Sequence, residues 1–416
     1  MKVKAVRLYG VNDIRFEEFD LRDIGEDELL ASVMTDSLCM STYKAVLQGS
    51  GHRCVPDDIA VNPVLIGHEF CGRVEKVGTA FQDRIHVGDL FTVQPKMVDG
   101  DTIKGPGYSF PYYGGDATHI IVPAEAVNEG YYLPYSGDAY FKASTAEPLS
   151  CLVSAARSQY HLGENSKTHI MGLKQGGCMA ILAGCGSMGL GAAEVAMALE
   201  QRPKRIVITD IDEKRIARAK SVLKPKNGVK IEIVNTKDME DPVKSLKQHA
   251  NGNGFDDIFI MAPVPSVIET ADAIAGTNSC INFFAGPTKK KFGAMVNFYG
   301  VHYNDKHIIG TSGGDIDDMK ESLRLLEEEK IDPSILLSHI GGLNSAAEAT
   351  LHLPEIPGAK KLIYCNIDLP LTAIDEFEEK GRTDPLFATL HEICASNNML
   401  WCKEAEEYLL QNAPRL

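Results

Sequence analysis

From residue 179 onward, short apolar runs alternate with stretches whose apolar residues recur every three to four positions. MAILAG (179–184), RIVITD (205–210), VKIEIVN (229–235), DIFIMA (257–262) and SCINFFA (279–285) predict strands. Residues 189–200, 213–222, 241–250 and 266–275 predict the helices between them. That alternation implies βαβ units and a parallel sheet. The first part of the chain has another texture. Short β-type runs at 2–9, 28–35, 72–77, 90–94 and 119–122 are separated by glycine turns, and 147–161 reads as a helix leading away from them. An irregular, mostly β domain is expected there. After 307–311, residues 315–330 read as a helix and 360–366 as a last strand. The fold class is therefore α/β, with an irregular β-rich domain followed by a doubly wound parallel-sheet domain. The expected boundaries are 1–156 with 301–366 for the first and 157–300 for the second. A tail, 367–416, carries Leu386, Leu390, Ile393, Trp401 and Tyr408 at helical spacing and is expected to dock by that face.

At 416 residues the chain is too long for one core. Its net charge of −15 argues against nucleic acid as a partner. There is no stretch of about 18 apolar residues and no N-terminal apolar run with a basic flank, so no membrane is expected and the cytoplasm is the expected location. The 10 cysteines are scattered and form no CxxC pair, which reads as reduced thiols in cores. Cys39 is the exception, for the reason given below.

Gly184-x-Gly186-x-x-Gly189 follows an apolar run and opens a predicted helix, the context a dinucleotide cradle requires. Gly184 permits the tight turn, Gly186 lets the backbone approach a pyrophosphate, and Gly189 lets helix and strand pack closely. The helix start, with Ser187 and Met188, offers free N–H groups and a positive dipole end. Asp210 ends the next strand, 21 residues after Gly189. A carboxylate there accepts hydrogen bonds from ribose hydroxyls and repels a 2′-phosphate, which favours NAD(H). Arg215 is placed with these as a cofactor-binding candidate.

Cys39 and His68 are ligand types suited to zinc, with Glu69 or Glu147 as the carboxylate. Three protein ligands and an open position are the pattern of a catalytic zinc. Such a metal polarises a carbonyl or lowers the pKa of an alcohol so that hydride can leave.

With both motifs in order, the chain resembles the zinc-dependent medium-chain alcohol and polyol dehydrogenases, with their GroES-like catalytic domain and Rossmann domain. The resemblance covers residues 1 to about 366. It rests on Gly67-His68-Glu69-x-x-Gly72-x-Val74-x-x-x-Gly78, Gly88-Asp89, Glu147-Pro148-Leu149, the 184–189 turn and Asp210. It implies Cys39 and His68 as the first two zinc ligands. Glu69 and Glu147 both remain candidates for the carboxylate, and Cys151 is an outside third. It also implies one zinc per chain, NAD(H), a small polyol or ketose substrate, and a homo-oligomer, a dimer or tetramer. Ser41 keeps the hydroxyl that passes the substrate proton. Met261, Ala262 and residues 310–312 are expected at the nicotinamide end.

Three departures matter. Thr42 stands where relatives carry an acid two residues after the position next to the first ligand. Residues 95–107 contain none of the cysteines that hold a second zinc in many relatives. Residues 49–62 read as an inserted loop, and the tail exceeds the usual end. That loop, the tail and residues 37–48 (SLCMSTYKAVLQ) are most similar to the L-sorbose-1-phosphate reductase group. A phosphorylated substrate requires a local cation, and Lys44 is the best placed, with His52, Arg53 and Lys96 behind it. The alternatives are a free polyol (sorbitol-type) dehydrogenase, an amino-alcohol dehydrogenase, or a zinc-free relative that binds NAD(P)H without this chemistry.

Overall fold

The computed structural model describes residues 1–416, Asp99 by its backbone alone. The chain divides into two compact units, Met1–Glu147 with Leu337–Leu416, and Pro148–Leu336.

The second unit is built on six parallel strands. In spatial order they are Lys230–Asn235, Arg205–Asp210, Cys178–Leu182, Phe255–Ile260, Ala275–Phe283 and His307–Gly310. Counted along the chain, the order is 3-2-1-4-5-6, which reverses between Cys178–Leu182 and Phe255–Ile260. Ligands of such sheets bind beyond the carboxyl ends of the strands at that switch point. Cys178–Leu182 and Phe255–Ile260 are buried along nearly all their length, and the first accordingly reads as an unbroken apolar run. In this unit the strand Arg205–Asp210 and the helix Glu213–Val222 keep their expected bounds.

The boundary expected at residue 300 lies elsewhere. His307–Gly310 pairs with Ala275–Phe283 and extends the parallel sheet, and the helix Ile316–Glu327 follows it in the same unit. Residues 301–336 therefore belong to the second unit, and the return to the first begins at Leu337. The first boundary falls at Glu147, near the start of the helix Ala146–Ser158, not after it.

In the first unit an eight-stranded, mostly antiparallel sheet is centred on Leu29–Ser37. Phe70–Val77 flanks it on one side, with Phe70 opposite Asp36, and Lys360–Tyr364 on the other, with Leu362 opposite Ser37. Both neighbours run antiparallel to it. Its C-terminal end therefore meets their N-terminal ends at one edge of the sheet. Main-chain hydrogen bonds continue past the strands, from Ser37 N–H to Glu69 O (3.0 Å) and from Leu38 N–H to Lys361 O (2.9 Å). Cys39, His68, Glu69 and Lys360 are brought to that edge by this register.

The tail packs in this unit as two main helices, Pro385–Ser396 and Lys403–Asn412, where the spacing predicted one. Leu390, Trp401, Ala405 and Leu409 are buried with Phe377, Phe387, Leu362 and Tyr364, while Leu386, Ile393 and Tyr408 pack at the margin. Trp401 also donates its indole N–H to the Tyr364 hydroxyl at 2.8 Å, so the ring's one polar atom is satisfied inside the core.

Candidate active site

Cys39 is the residue before the helix Met40–Gln48, which the strand pattern did not anticipate. It sits at the helix N-cap, and Ser41 and Thr42 lie in the first turn. His68 and Glu69 precede the strand Phe70–Val77. The ligand atoms of Cys39, His68 and Glu69 all lie within 4.8 Å of one another. Ligands of a tetrahedral zinc, at about 2.0–2.3 Å from the metal, sit roughly 3.3–3.8 Å apart. The thiol, imidazole and carboxylate donor types suit that ion, and their atoms lie near enough to one another to converge on it.

Hydrogen bonds orient the imidazole. Thr42 Oγ1 is 3.0 Å from His68 Nδ1. Ser41 Oγ is 3.2 Å and the Tyr108 hydroxyl 3.3 Å from Nε2, so Nε2 faces the cluster. Ser41 Oγ also lies 2.9 Å from Cys39 Sγ. Thr42 replaces the acid of relatives with a neutral group, yet it occupies the place from which a ligating histidine is commonly held by its second nitrogen. Burial lowers the pKa of His68 to about 4, leaving a neutral imidazole with a lone pair for a metal. Burial first, and then the charge of Glu69, push the Cys39 thiol up to about 12. A divalent cation at the sulfur reverses that sign and deprotonates it.

Two neighbours escaped the sequence reading. Lys360, buried, donates its ammonium to Glu69 Oε2 at 2.5 Å, and the Ser37 hydroxyl bonds the same oxygen. Burial is the largest influence on the Glu69 carboxyl and raises it, but the Lys360 charge, the His68 ring and the hydrogen bonds from Lys360 and Ser37 together hold the group below the usual carboxylate range. The Tyr108 ring lies tilted 4.9 Å from that of His68, and His52 stacks on Tyr108 at 5.5 Å. Neither Lys360 nor Tyr108 has a motif signal. Lys360 is 291 residues from Glu69, and only the sheet register reveals the pair. The charge of Glu147 acts on Cys39, Tyr108 and Lys360, so it faces the same group, although it is outside the three-ligand cluster. Lys44 lies half-buried on the helix Met40–Gln48. Cys151 belongs to the other unit.

In the second unit, the 184–189 turn links the strand Cys178–Leu182 to the helix Ser187–Ala198, with Gly186 as N-cap. A Cβ on Gly189 would stand 2.1 Å from Gly184 O, and one on Gly184 would stand 2.6 Å from Ile181 Cγ2. Neither position admits a side chain. A Cβ on Gly186 would meet nothing within 4 Å, so the space in front of that backbone is open, as a phosphate's approach requires. The left-handed residue of the turn is Ala183 (φ +52°), not a glycine.

Asp210 is buried, and its carboxylate is already engaged. It accepts N–H groups from Cys185 (3.1 Å), Ile211 (2.8 Å) and Asp212 (3.1 Å). A carboxylate offers about four lone-pair sites, which leaves roughly one for a ligand hydroxyl. The expectation that it grips two ribose hydroxyls needs that revision. Arg215 is exposed, and its backbone N–H is bonded by Asp212, which caps the helix Glu213–Val222.

Comparison with known proteins bears on this arrangement. Residues 25–130 match the alcohol dehydrogenase GroES-like domain family, and residues 187–328 match the zinc-binding dehydrogenase family. The chain is 45% identical over 411 residues to mannitol-1-phosphate 5-dehydrogenase of Aliivibrio fischeri, covering 98% of this chain and 97% of that one. It is 40% identical over 409 residues to L-sorbose 1-phosphate reductase of Klebsiella pneumoniae, again covering 98% and 97%. The solved structure of 2R,3R-butanediol dehydrogenase from Bacillus subtilis shares the fold, with a TM-score of 0.73 at 21% identity over 88% of this chain and 100% of that one. No helix among the described residues is long and apolar enough to cross a membrane. Donor cluster, glycine turn and full-length similarity converge on one conclusion: this chain belongs to the zinc-dependent medium-chain alcohol and polyol dehydrogenase family and is an oxidoreductase that works with zinc and a nicotinamide cofactor.

Proposed function

We propose that the chain reduces a phosphorylated ketose, and in reverse oxidises the matching polyol phosphate, with NAD(H) as the hydride carrier. The observation that carries this is identity of 45% and 40% over nearly the whole chain to two enzymes each named for a sugar or sugar-alcohol phosphate. Cys39, His68 and a carboxylate, Glu69 or Glu147, would hold the zinc. When bound, the zinc polarises the substrate carbonyl and the nicotinamide supplies or takes the hydride. Thr42 fixes the imidazole of His68 through Nδ1. Ser41, within hydrogen-bond reach of the Cys39 and His68 ligand atoms, delivers the proton from its Oγ to the substrate oxygen. Tyr108 and His52 continue as a line of adjoining rings from His68 to the 49–62 loop. That line supports a second subsite where Lys44, His52, Arg53 and Lys96 are the candidate partners of a phosphate.

The test is a substrate panel with NADH that compares L-sorbose 1-phosphate and fructose phosphates with their free sugars. Each charge-assisted hydrogen bond to the phosphate contributes about 1.5–3 kcal/mol. The phosphorylated ketose is expected to win in kcat/KM by at least about tenfold. Lys44→Met should lower kcat/KM for the phosphorylated substrate and leave the free sugar nearly unchanged. Equal rates with the free ketose would leave a general polyol dehydrogenase.

Cofactor choice follows from Asp210, Gly184, Gly186, Ser187, Met188, Gly189 and Arg215. The carboxylate of Asp210 at the strand end repels a 2′-phosphate, so NAD(H) is preferred. Asp210→Ala should narrow that preference, and it should also weaken both cofactors because the Cys185 N–H loses its acceptor. Steady-state kinetics with each cofactor measure this. A wild-type chain that favours NADPH tenfold, about 1.4 kcal/mol, contradicts the role given to Asp210.

The homo-oligomer is supported by the exposed Met295, Phe298, Tyr299 and Tyr303, which gather large apolar groups in one segment of the second unit. Ten free cysteines support a reducing compartment, the cytoplasm.

A further inference from the structure

The tail brings a buried carboxyl group into the unit that carries the donor cluster. Glu406, in the helix Lys403–Asn412, is 2% exposed. Its Oε1 accepts the N–H of Tyr140 at 2.7 Å, and its Oε2 accepts the N–H of Phe141 at 2.9 Å and the Tyr364 hydroxyl at 2.8 Å. The Tyr364 oxygen in turn accepts the Trp401 indole N–H. Tyr140 and Phe141 open the helix Tyr140–Ser144, whose N-cap, Ala139, has no side chain able to bond them. The first N–H groups of a helix lack partners within it. Here a carboxylate 266 residues further along the chain supplies them. Burying a carboxyl group is costly unless its oxygens are bonded; burial pushes Glu406 up to about 7, and its three donors, Tyr364, Phe141 and Tyr140, act against that rise.

From that short helix, contacts run to the donor cluster. Thr35 Oγ1 donates to Tyr140 O at 3.2 Å, and the Thr35 and Ser144 hydroxyls bond each other. The Ser37 hydroxyl lies 3.3 Å from Ser144 O and bonds the Glu69 carboxylate. The helix Ala146–Ser158 begins two residues after Ser144 and carries Glu147 in its first turn. Both candidate carboxylate ligands are thus tied to a helix whose opening N–H groups are held by the tail.

We propose that Glu406 is a positioning residue for the metal centre: by holding the helix Tyr140–Ser144 it sets the Ser37–Glu69 contact and the entry of Glu147. This rests on the reading that Cys39, His68 and a glutamate hold zinc. The tail is then part of the site's support, not an appendage. Groups that orient metal ligands without touching the metal typically change affinity about 10–100-fold when removed.

The test uses the full-length, zinc-loaded chain. Glu406→Gln keeps one acceptor oxygen but turns an NH2 toward a second N–H. Leu409→Ala, in the same helix, removes only apolar contact and serves as the comparison. Zinc transfer to a coloured chelator is timed for each at the same interval below its own Tm, with hydrogen exchange of Tyr140 and Phe141 followed in parallel. Glu406→Gln is expected to release zinc at least about tenfold faster than wild type and to exchange those two amides faster, while Leu409→Ala stays near wild type. If Glu406→Gln does not fold, Tyr364→Phe removes one donor to Glu406 and should shift release in the same direction by a smaller factor. Release from either variant no faster than from Leu409→Ala overturns the proposal alone. A wild-type chain that retains no zinc overturns the metal reading along with it.

Discussion

Replacing Cys39 by Ser is expected to abolish turnover, by at least about 10³-fold or ~4 kcal/mol, and to take bound zinc from about one per chain to a small fraction. The reasoning begins with the donor set. A serine hydroxyl in place of the thiolate leaves only His68 and a carboxylate, and it offers no soft anionic ligand. NADH binding should survive, because the 184–189 turn and Asp210 lie in the other unit. Elemental analysis and a fluorescence titration with NADH separate the two effects. Wild type should hold about one zinc and not two: residues 95–107 have no cysteine, and a two-stranded hairpin crosses that stretch. Two tightly held zincs per chain, or full activity in the Cys39→Ser variant, would defeat the assignment. A zinc-free variant that has also lost NADH binding would point to misfolding instead.

The two units were unequally legible in the sequence, for physical reasons. Strands of a parallel sheet covered on both faces read as continuous apolar runs, and RIVITD shows this directly. The helix that follows begins at Glu213 behind a capping Asp212, a local signal. The strand Asp13–Asp20 left no such trace, because five of its residues are charged and its faces are mostly solvated. Leu337–Gly342 was missed for another reason: two glycines and a histidine dilute its pattern, and its partners are fixed by long-range pairing. The donor cluster was half legible. Cys39, His68 and Glu69 belong to motifs of recognisable spacing. Lys360 and Tyr108 do not, and their roles exist only once Leu29–Ser37, Phe70–Val77 and Lys360–Tyr364 are aligned. The misplaced boundary at residue 300 has the same origin, since pairing and not composition assigns His307–Gly310 to the parallel sheet.

Lys360→Met is expected to destabilise the first unit by about 3–5 kcal/mol, the usual cost of leaving one partner of a buried ion pair alone. Both groups of this pair are deeply buried, with side chains 8% and 1% exposed, so solvent screens the charges little. After the substitution Glu69 retains the Ser37 hydroxyl and loses its only ammonium among the described residues. At 2–4 °C per kcal/mol for a domain of this size, Tm should fall by roughly 6–20 °C. Removing the second charge tests the cause. Lys360→Met combined with Glu69→Gln should recover much of the loss, because no uncompensated charge then stays buried. Calorimetry on the metal-depleted proteins reads this without interference from ligand binding. A zinc ion held by the proposed donors would place a new positive charge beside Glu69, so the loss in the Lys360→Met variant should shrink when the metal is restored. A Lys360→Met variant within about 1 kcal/mol of wild type would show that the pair is not the electrostatic anchor described here. A double variant less stable than the single one would show that packing around the lysine stem, and not its charge, is what the substitution removes.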